Sequence, residues 1–427
     1  MGKKKIWQKG VTRRDFIKTV GAAGVAAAGT GLLPRSSMAA KRDYILIGHP
    51  GPGTGPIAAF GESSKWADKR AVAEINKKGG IYLRDLGKRL PVKVKAIDTE
   101  SNPTKATEVT SKLILQDKVD LILSMGTPDT VNPVDAICER YQVPAVSSVA
   151  PIEPWLTGGP YKWSYHFFWG LGDIIKVFTG MWGAFETNKV VGGFWPNDPD
   201  GVVWAVEFGK ALKNQGYKVV DVGRFPYGMN DFSSFINTWK KEKVEILTGV
   251  PIPPDWATCW RQCHQQGFIP KIATIGKAIL FPAAVEAMGG NLADGLTSEI
   301  WWSPLHPFKS SLGGYSCEKL AEIWFEDTGR QWTQPMGFDW AAFEVAADVL
   351  LRAGSLDKKK IRDALSATNM NTIVGKVNFN EQHFSLTPLV GGQWVKGTKY
   401  PWDLQITYNK EHSYIPTTGK MTFPIQR

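Results

Sequence analysis

Cysteine is scarce: four residues in 427 do not make a disulfide framework. Cys259 and Cys263 are four apart on an expected helix, where they share a face but are poorly placed to bridge. His264 beside them has no second ligand pair at zinc-type spacing. These two thiols, with Cys138 and Cys317, are therefore expected to be buried. Catalytic motifs are missing too. The six histidines (His49, His166, His264, His306, His383 and His412) have no nucleophile at G-x-S-x-G spacing, and no H-E-x-x-H or paired-carboxylate signature stands out. Nothing in the chain asks for an enzyme, a cofactor or a metal. Residues 20–33 are mildly apolar, but too short and too rich in alanine and glycine to span a bilayer permanently.

What is present begins with an address. Lys3, Lys4, Lys5 and Lys9 make a basic start, and Thr12-Arg13-Arg14-Asp15-Phe16-Ile17-Lys18 fits the twin-arginine export pattern. Ser37-Met38-Ala39 offers small residues for cleavage, so residues 1–39 are expected to be a signal peptide. The implied location is periplasmic or otherwise extracytoplasmic, with the twin-arginine translocon as an export partner. The full chain carries 51 basic and 40 acidic residues, net +11. Eight of the basic residues and one acid lie in 1–39, which leaves 43 against 39, or +4, spread without clusters. That pattern has no nucleic-acid footprint.

Residues 44–80 organise the rest. Tyr44-Ile45-Leu46-Ile47 suits a buried parallel strand. Four glycines and three prolines then crowd residues 48–56, where no regular element survives. Residues 62–77 read as an amphipathic helix with Trp66, Ala67, Ala71 and Ile75 on one stripe, stopped by Gly79-Gly80. A glycine-rich loop between strand and helix sits where open α/β sheets bind ligands. One reading of Gly53-Thr-Gly55-Pro-Ile-Ala58 is a dinucleotide loop with Asp98 as the ribose acid. That would make the chain an exported nucleotide-dependent oxidoreductase.

The other reading starts from Pro52 to Gly61 followed by Ala71 through Asn76, Gly79, Gly80 and Ile81. This series resembles the opening of the branched-chain-amino-acid-type (type I) periplasmic binding proteins of ABC transporters. Asn197-Asp198-Pro199-Asp200-Gly201, Tyr227 through Ser233, and Gly375 through Asn380 resemble later family segments in the right order. The alternation agrees. Strands are expected at 92–97, 119–124 and 144–149, helices at 103–116 and 130–141, and a second α/β series from 173 to 276. About 388 residues after the signal exceed what one core usually serves. The resemblance implies two doubly wound lobes joined by three crossovers: 43–168 with 303–373, and 169–302 with 374–427. It implies crossings near 301–303 and 372–378, and a ligand cleft between the lobes. It also implies a small-molecule ligand and delivery to a membrane permease.

Family correspondence places ligand contacts at Phe60, at Thr127, Pro128 and Asp129, and at Ser147, Ser148 and Ala150 in the first lobe. Hydroxyls and helix-start amides there suit a carboxylate. In the second lobe it points to Asp200, Ile252 and Lys277, with Trp302 at the crossover and Trp340 facing the first-lobe loops. Two of these depart from the amino-acid binders. Asp200 stands where an aromatic is usual, and Thr274-Ile275-Gly276-Lys277 lacks the acid that commonly holds an α-ammonium. The departure favours a small carboxylate, aromatic or branched, with an amino acid or amide as the other possibility. For export we expect Arg13→Lys with Arg14→Lys to leave precursor in the cytoplasm, because lysine lacks the guanidinium fork. Cell fractionation checks this, and mature protein outside the membrane at normal levels would refute it.

Overall fold

The computed structural model describes Asp43 to Ile425; the expected signal peptide lies outside the described residues. Thirteen of the strands form two mainly parallel sheets. The first sheet orders Phe384–Leu386, Ser164–Phe168, Ala145–Ser148, Leu121–Met125, Ile45–Gly51 and Val92–Asp98, all parallel. The second orders Trp402–Tyr408, Val390–Lys396, Thr297–Ile300, Ile272–Ile275, Ile246–Gly249, Val190–Pro196 and Lys218–Phe225; its first two junctions are antiparallel and the rest parallel. Central strands such as Leu-Ile-Leu-Ser-Met at 121–125 are buried at every residue. Burial of that kind follows from helices covering both faces of a parallel sheet. The two sheets are the cores of the two type I lobes.

Several helices start as their sequences dictate. Pro103 and Pro199 occupy the first helical turn, where a missing N–H costs nothing. The side chains of Asn102 and Asp198 cap those helices by accepting from Lys105 N (3.0 Å) and Gly201 N (2.6 Å).

The connections between lobes differ from expectation in one place. The chain leaves the first sheet at Phe168, enters the helix Leu171–Trp182, and returns after Thr297–Ile300. The return to the second lobe does not come near 372–378. Asn369–Thr372 and Gly375–Asn378 form a hairpin, and Phe384–Leu386 then pairs with Ser164–Phe168. The open backbone groups of Ser164–Phe168 need a partner, and this short strand supplies it. The third crossing therefore lies at residues 387–389, and 374–386 belong to the first lobe. The strand Ser164–Phe168 and the helix Ile152–Leu156 were not anticipated either.

The helix Pro335–Ala353 packs on Ser64–Asn76 in the first lobe. From it, the buried Glu344 carboxylate accepts Ile373 N (2.8 Å), Ser310 Oγ (2.9 Å), Ser311 Oγ (3.0 Å) and Ser311 N. It thereby ties the segment after the second crossing to the one before the third. Burial pushes its carboxyl up to about 7 despite those bonds. Four cysteine thiols are buried and unpaired. At the start of the same helix a Cβ on Gly337 would come within 2.4 Å of the Trp302 indole, which is fully buried. Gly337→Ala should therefore lower stability by about 1–3 kcal/mol despite alanine's better helix propensity. Thermal unfolding measures this; an unchanged melting point would show that the indole can move aside.

Candidate functional site

Lys277 is the centre of the site. It follows the strand Ile272–Ile275 with φ of 63°, a left-handed conformation unusual for lysine. Its N–H donates to Glu299 Oε1 (3.1 Å), and its buried ammonium donates to Asp198 Oδ2 (2.7 Å), Asp200 Oδ2 (2.8 Å) and Tyr227 Oη (3.2 Å). These residues come from the carboxyl ends of second-lobe strands and the helix start behind Asp198, the position where open sheets gather ligands.

The first lobe reaches into the same cluster. Asp129 Oδ2 lies 3.2 Å from the Tyr227 hydroxyl and 3.9 Å from Lys277 Nζ, and it accepts from Thr127 Oγ1 at 3.0 Å. The Tyr227 hydroxyl also contacts Asp198. Above this polar bridge, Phe60 of the first lobe meets Phe281 of the second edge-on, with centroids 4.8 Å apart. The lobes are closed on one another.

Burial dominates the electrostatics. It pushes Asp200 and Glu299 up to about 7, Asp255 to about 6, and Asp129 upward, in each case against nearby hydrogen bonds or the Lys277 charge. The Tyr227 hydroxyl has one proton for the two carboxylates it contacts, Asp129 and Asp198. Burial also works against the Lys277 ammonium. Asp198, Asp200, Tyr227 and Asp129 more than offset it and hold Lys277 above the usual lysine range.

Beside the cluster is a cavity walled by Phe60, Phe168, Trp169, Trp204, Leu280 and Trp301, with Thr127, Asp200, Lys277 and Glu299 on its lining. Its open volume is about 20 Å³, room for one water. Trp204 reaches it because Gly276 has no side chain: a Cβ there would sit 2.9 Å from the indole. Four buried polar atoms on this lining lack a partner, the indole nitrogens of Trp169, Trp204 and Trp301 and the Oδ1 of Asp200. Buried polar groups are ordinarily paired. Three donors and one acceptor left open on one cavity are what a ligand would complete.

Of the residues named from sequence, Phe60, Thr127, Asp200 and Lys277 line this cavity, Asp129 lies in the lobe-bridging contact, and Pro128 is buried at the start of the helix Pro128–Tyr141 without lining the cavity. The others sit elsewhere. Ser147 Oγ donates to Asp135 and faces His166, Ser148 Oγ donates to Phe167 O, and Ala150 packs with Trp155 and Tyr161 while its carbonyl bonds His166. Between them Val149, in a left-handed conformation at φ 74°, presents the cavity wall instead. That is strain for a β-branched residue, as functional loops often hold. Ile252 is buried at the start of the helix Pro253–Gln265, next to the lining Val250. Trp302 donates to Ile373 O, and Trp340 donates to Ser310 Oγ between Trp66 and Tyr315, so neither lines the cavity. Their neighbour Trp301 does. Sequence reasoning missed Glu299, Trp204, Trp169 and Trp301; Glu299 carries no motif, and only the sheet order brings it beside Lys277.

The glycine-rich loop is occupied by its own chain. Asp98 accepts Gly53 N (2.8 Å), Thr54 N (3.2 Å), Thr54 Oγ1 (2.7 Å) and Glu100 N (2.8 Å). The amides that a dinucleotide phosphate would need are bonded to this carboxylate.

A family model described as periplasmic binding protein matches residues 45–399. The chain belongs to the periplasmic binding protein family. It is of the type I, branched-chain-amino-acid kind. It is 24% identical over 347 residues to the leucine-, isoleucine-, valine-, threonine- and alanine-binding protein of Pseudomonas aeruginosa, covering 81% of this chain and 88% of that one. Its fold matches a leucine-binding protein from Thermotoga maritima with a TM-score of 0.72 at 22% identity, covering 86% of this chain and 99% of that one. It also matches an ABC-transporter solute-binding protein from Rhodopseudomonas palustris in complex with 3,4-dihydroxybenzoic acid, with a TM-score of 0.69 at 17% identity and coverage of 85% and 96%. Among its described residues no helix is long and apolar enough to cross a membrane.

In this binding protein, Lys277→Met strips two buried aspartates of their cation. We expect a loss of about 3–5 kcal/mol near pH 8. Without the ammonium, Asp200, whose buried carboxyl is already pushed up to about 7, takes up a proton in the folded state more readily than in the unfolded chain. The loss should therefore shrink as pH falls towards 5. Denaturant unfolding at the two pH values tests the sign, and an equal loss at both would exclude this account.

Proposed function

We propose that this protein captures a small amino-acid-type solute in its interlobe cleft and hands it to the membrane permease of an ABC importer, after twin-arginine export to the periplasm. It acts as a binder with no chemistry of its own. The carrying observation is the acid excess around the cavity: Asp129, Asp198 and Asp200 lie around one ammonium, that of Lys277, and Glu299 accepts the backbone N–H of the same residue. From sequence, Lys277 argued for an anion; with Asp198 and Asp200 against it, that charge is already spent. The unpaired Asp200 Oδ1 suits a ligand ammonium or amide N–H, and the open indole N–H groups suit its carboxylate or carbonyl. Relatives that bind leucine and its congeners support this reading. The three indole donors and aromatic walls favour a second reading, an aromatic carboxylate such as the acid seen in the Rhodopseudomonas palustris neighbour.

A calorimetric panel separates the two. Leucine, valine and phenylalanine are titrated alongside their deaminated acids and 3,4-dihydroxybenzoate. On the first reading an amino acid binds best, and Asp200→Asn weakens it at least about tenfold, since a ligand ammonium buried without its acceptor is costly. Affinity should also drop as pH falls from 8 to 6, because Asp200 and Glu299, pushed up to about 7, gain protons and lose their pull on a cation. If the deaminated acids bind more tightly, or affinity rises on acidification, the second reading replaces the first.

A further inference from the structure

A second and larger cavity, about 610 Å³, shares no lining residue with the cleft around Lys277. Its wall is assembled where the lobes are joined. Asp173 lies just beyond the first crossing, Phe308 and Lys309 follow the second, and Thr387 is in the third. Thr387 N donates to Phe168 O at 3.1 Å, so the first and third crossings are already bonded to each other here. The groove thus draws its wall from all three segments through which the lobes hinge.

The groove's chemistry is that of an anion site with an apolar floor. Lys309 and Lys376 are exposed on its wall and form no ion pair among the described residues. The single carboxylate on the wall, Asp173, accepts Gly170 N at 3.2 Å as part of a helix cap. Thr387 is 4% exposed, yet its Oγ1 has no hydrogen-bond partner. A buried hydroxyl left unpaired on a cavity wall is unusual and favours a polar ligand atom beside it. The apolar part of the wall is Phe308 and Tyr414, which meet edge-on with centroids 6.3 Å apart, with Pro307, Leu386 and Pro388 beside them; Tyr414 is 56% exposed, and Asn371 and His412 add polar edges. A half-buried and an exposed aromatic next to lysines without an ion pair make a concave surface that combines apolar contact with polar groups able to orient a small molecule.

We propose that this groove binds a small anion with a flat apolar body, in class an aromatic carboxylate, and that its occupancy biases the balance between open and closed lobes. Lys309, Lys376 and the Thr387 hydroxyl take the carboxylate, while Phe308 and Tyr414 take the ring. A ligand bonded across the crossings has different contacts in the open and closed forms. That difference is the only way an effector shifts a conformational equilibrium. The inference stands apart from the identity of the cleft ligand.

Benzoate is the probe, and the protein is labelled with fluorotyrosine, the Tyr414 fluorine resonance being assigned through Tyr414→Phe. We expect benzoate to shift that resonance saturably. The Lys309→Ala, Lys376→Ala double variant should bind at least about tenfold more weakly, as lost charge-assisted bonds imply. Asp200→Asn, which alters the cleft, should keep the shift. Solution scattering of the wild type should change on saturation, and the change should vanish in the double variant. No saturable shift below about 10 mM, or a shift that the double variant retains in full, overturns the site. A saturated groove with an unchanged scattering profile overturns the coupling.

Discussion

One buried ammonium holds the closed protein together. Among the described residues Lys277 is the sole cation paired with Asp129, Asp198 and Asp200, and Asp129 belongs to the other lobe. Taking so many ionisable groups out of water costs several kcal/mol per ion unless each finds a partner. The ways in which the chain limits that cost explain much of the local architecture. Asp198 spends its second oxygen on Gly201 as a helix cap, Asp255 accepts Gly228 N, and Glu299 accepts the Lys277 N–H and the Ser298 hydroxyl. The left-handed turn at Lys277 is what turns that N–H onto Glu299 while the side chain points at the aspartates. Two oxygens are left over, Oδ2 of Asp255 and Oδ1 of Asp200, and the second belongs to a residue that lines the cavity, where the network is unfinished.

Around this polar centre the rest of the cleft is aromatic. Trp204 stacks on Phe208 at 5.1 Å and meets Trp169 edge-on, which carries apolar packing from the second lobe to the first crossing. Rings of this size bury a large area each and keep water from the ion cluster. A low-dielectric surround strengthens every bond inside it and raises the penalty for any left open. The same packing that makes the cluster strong therefore makes its unpaired indoles and Asp200 Oδ1 sensitive to a ligand.

The fold was legible because it is written in local patterns. The strand at 45–51, its glycine-proline loop and the helix stopped at Gly79-Gly80 are short-range features, and their order sufficed for the family. What depends on long-range pairing was not legible. The Phe384–Leu386 strand is too short to announce itself and is fixed only by the open edge of Ser164–Phe168, so the third crossing was placed about ten residues early. The site divides in the same way. Asp200 and Lys277 were found because they break the family's pattern at known turns. Glu299 was not, because nothing in Thr297-Ser-Glu-Ile300 marks it, and only the parallel pairing of Thr274 with Thr297 sets it next to Lys277. Trp302 was chosen over Trp301 by a single residue; in an extended segment successive side chains point to opposite sides.

The closed cavity constrains how any ligand is bound. With about 20 Å³ open, it holds little more than a water, so a ligand cannot simply be added to the arrangement described. Room has to come from separation of the lobes, from movement of the Lys277 side chain, or from both. Separation breaks the Asp129 to Tyr227 contact but leaves Lys277 with its two second-lobe aspartates, both on its own side of the cleft. The lysine therefore stays neutralised in the open form, and an arriving ligand meets Asp200 Oδ1 and Glu299 before it meets an available positive charge. On the proposed reading of the site, selectivity then rests on what the ligand offers those acids at the moment the lobes close. A donor group completes the network, whereas a bare anion finds the neutral indole N–H groups of Trp169, Trp204 and Trp301 and gains a charged partner only by displacing an aspartate from Lys277, which leaves that aspartate unpaired.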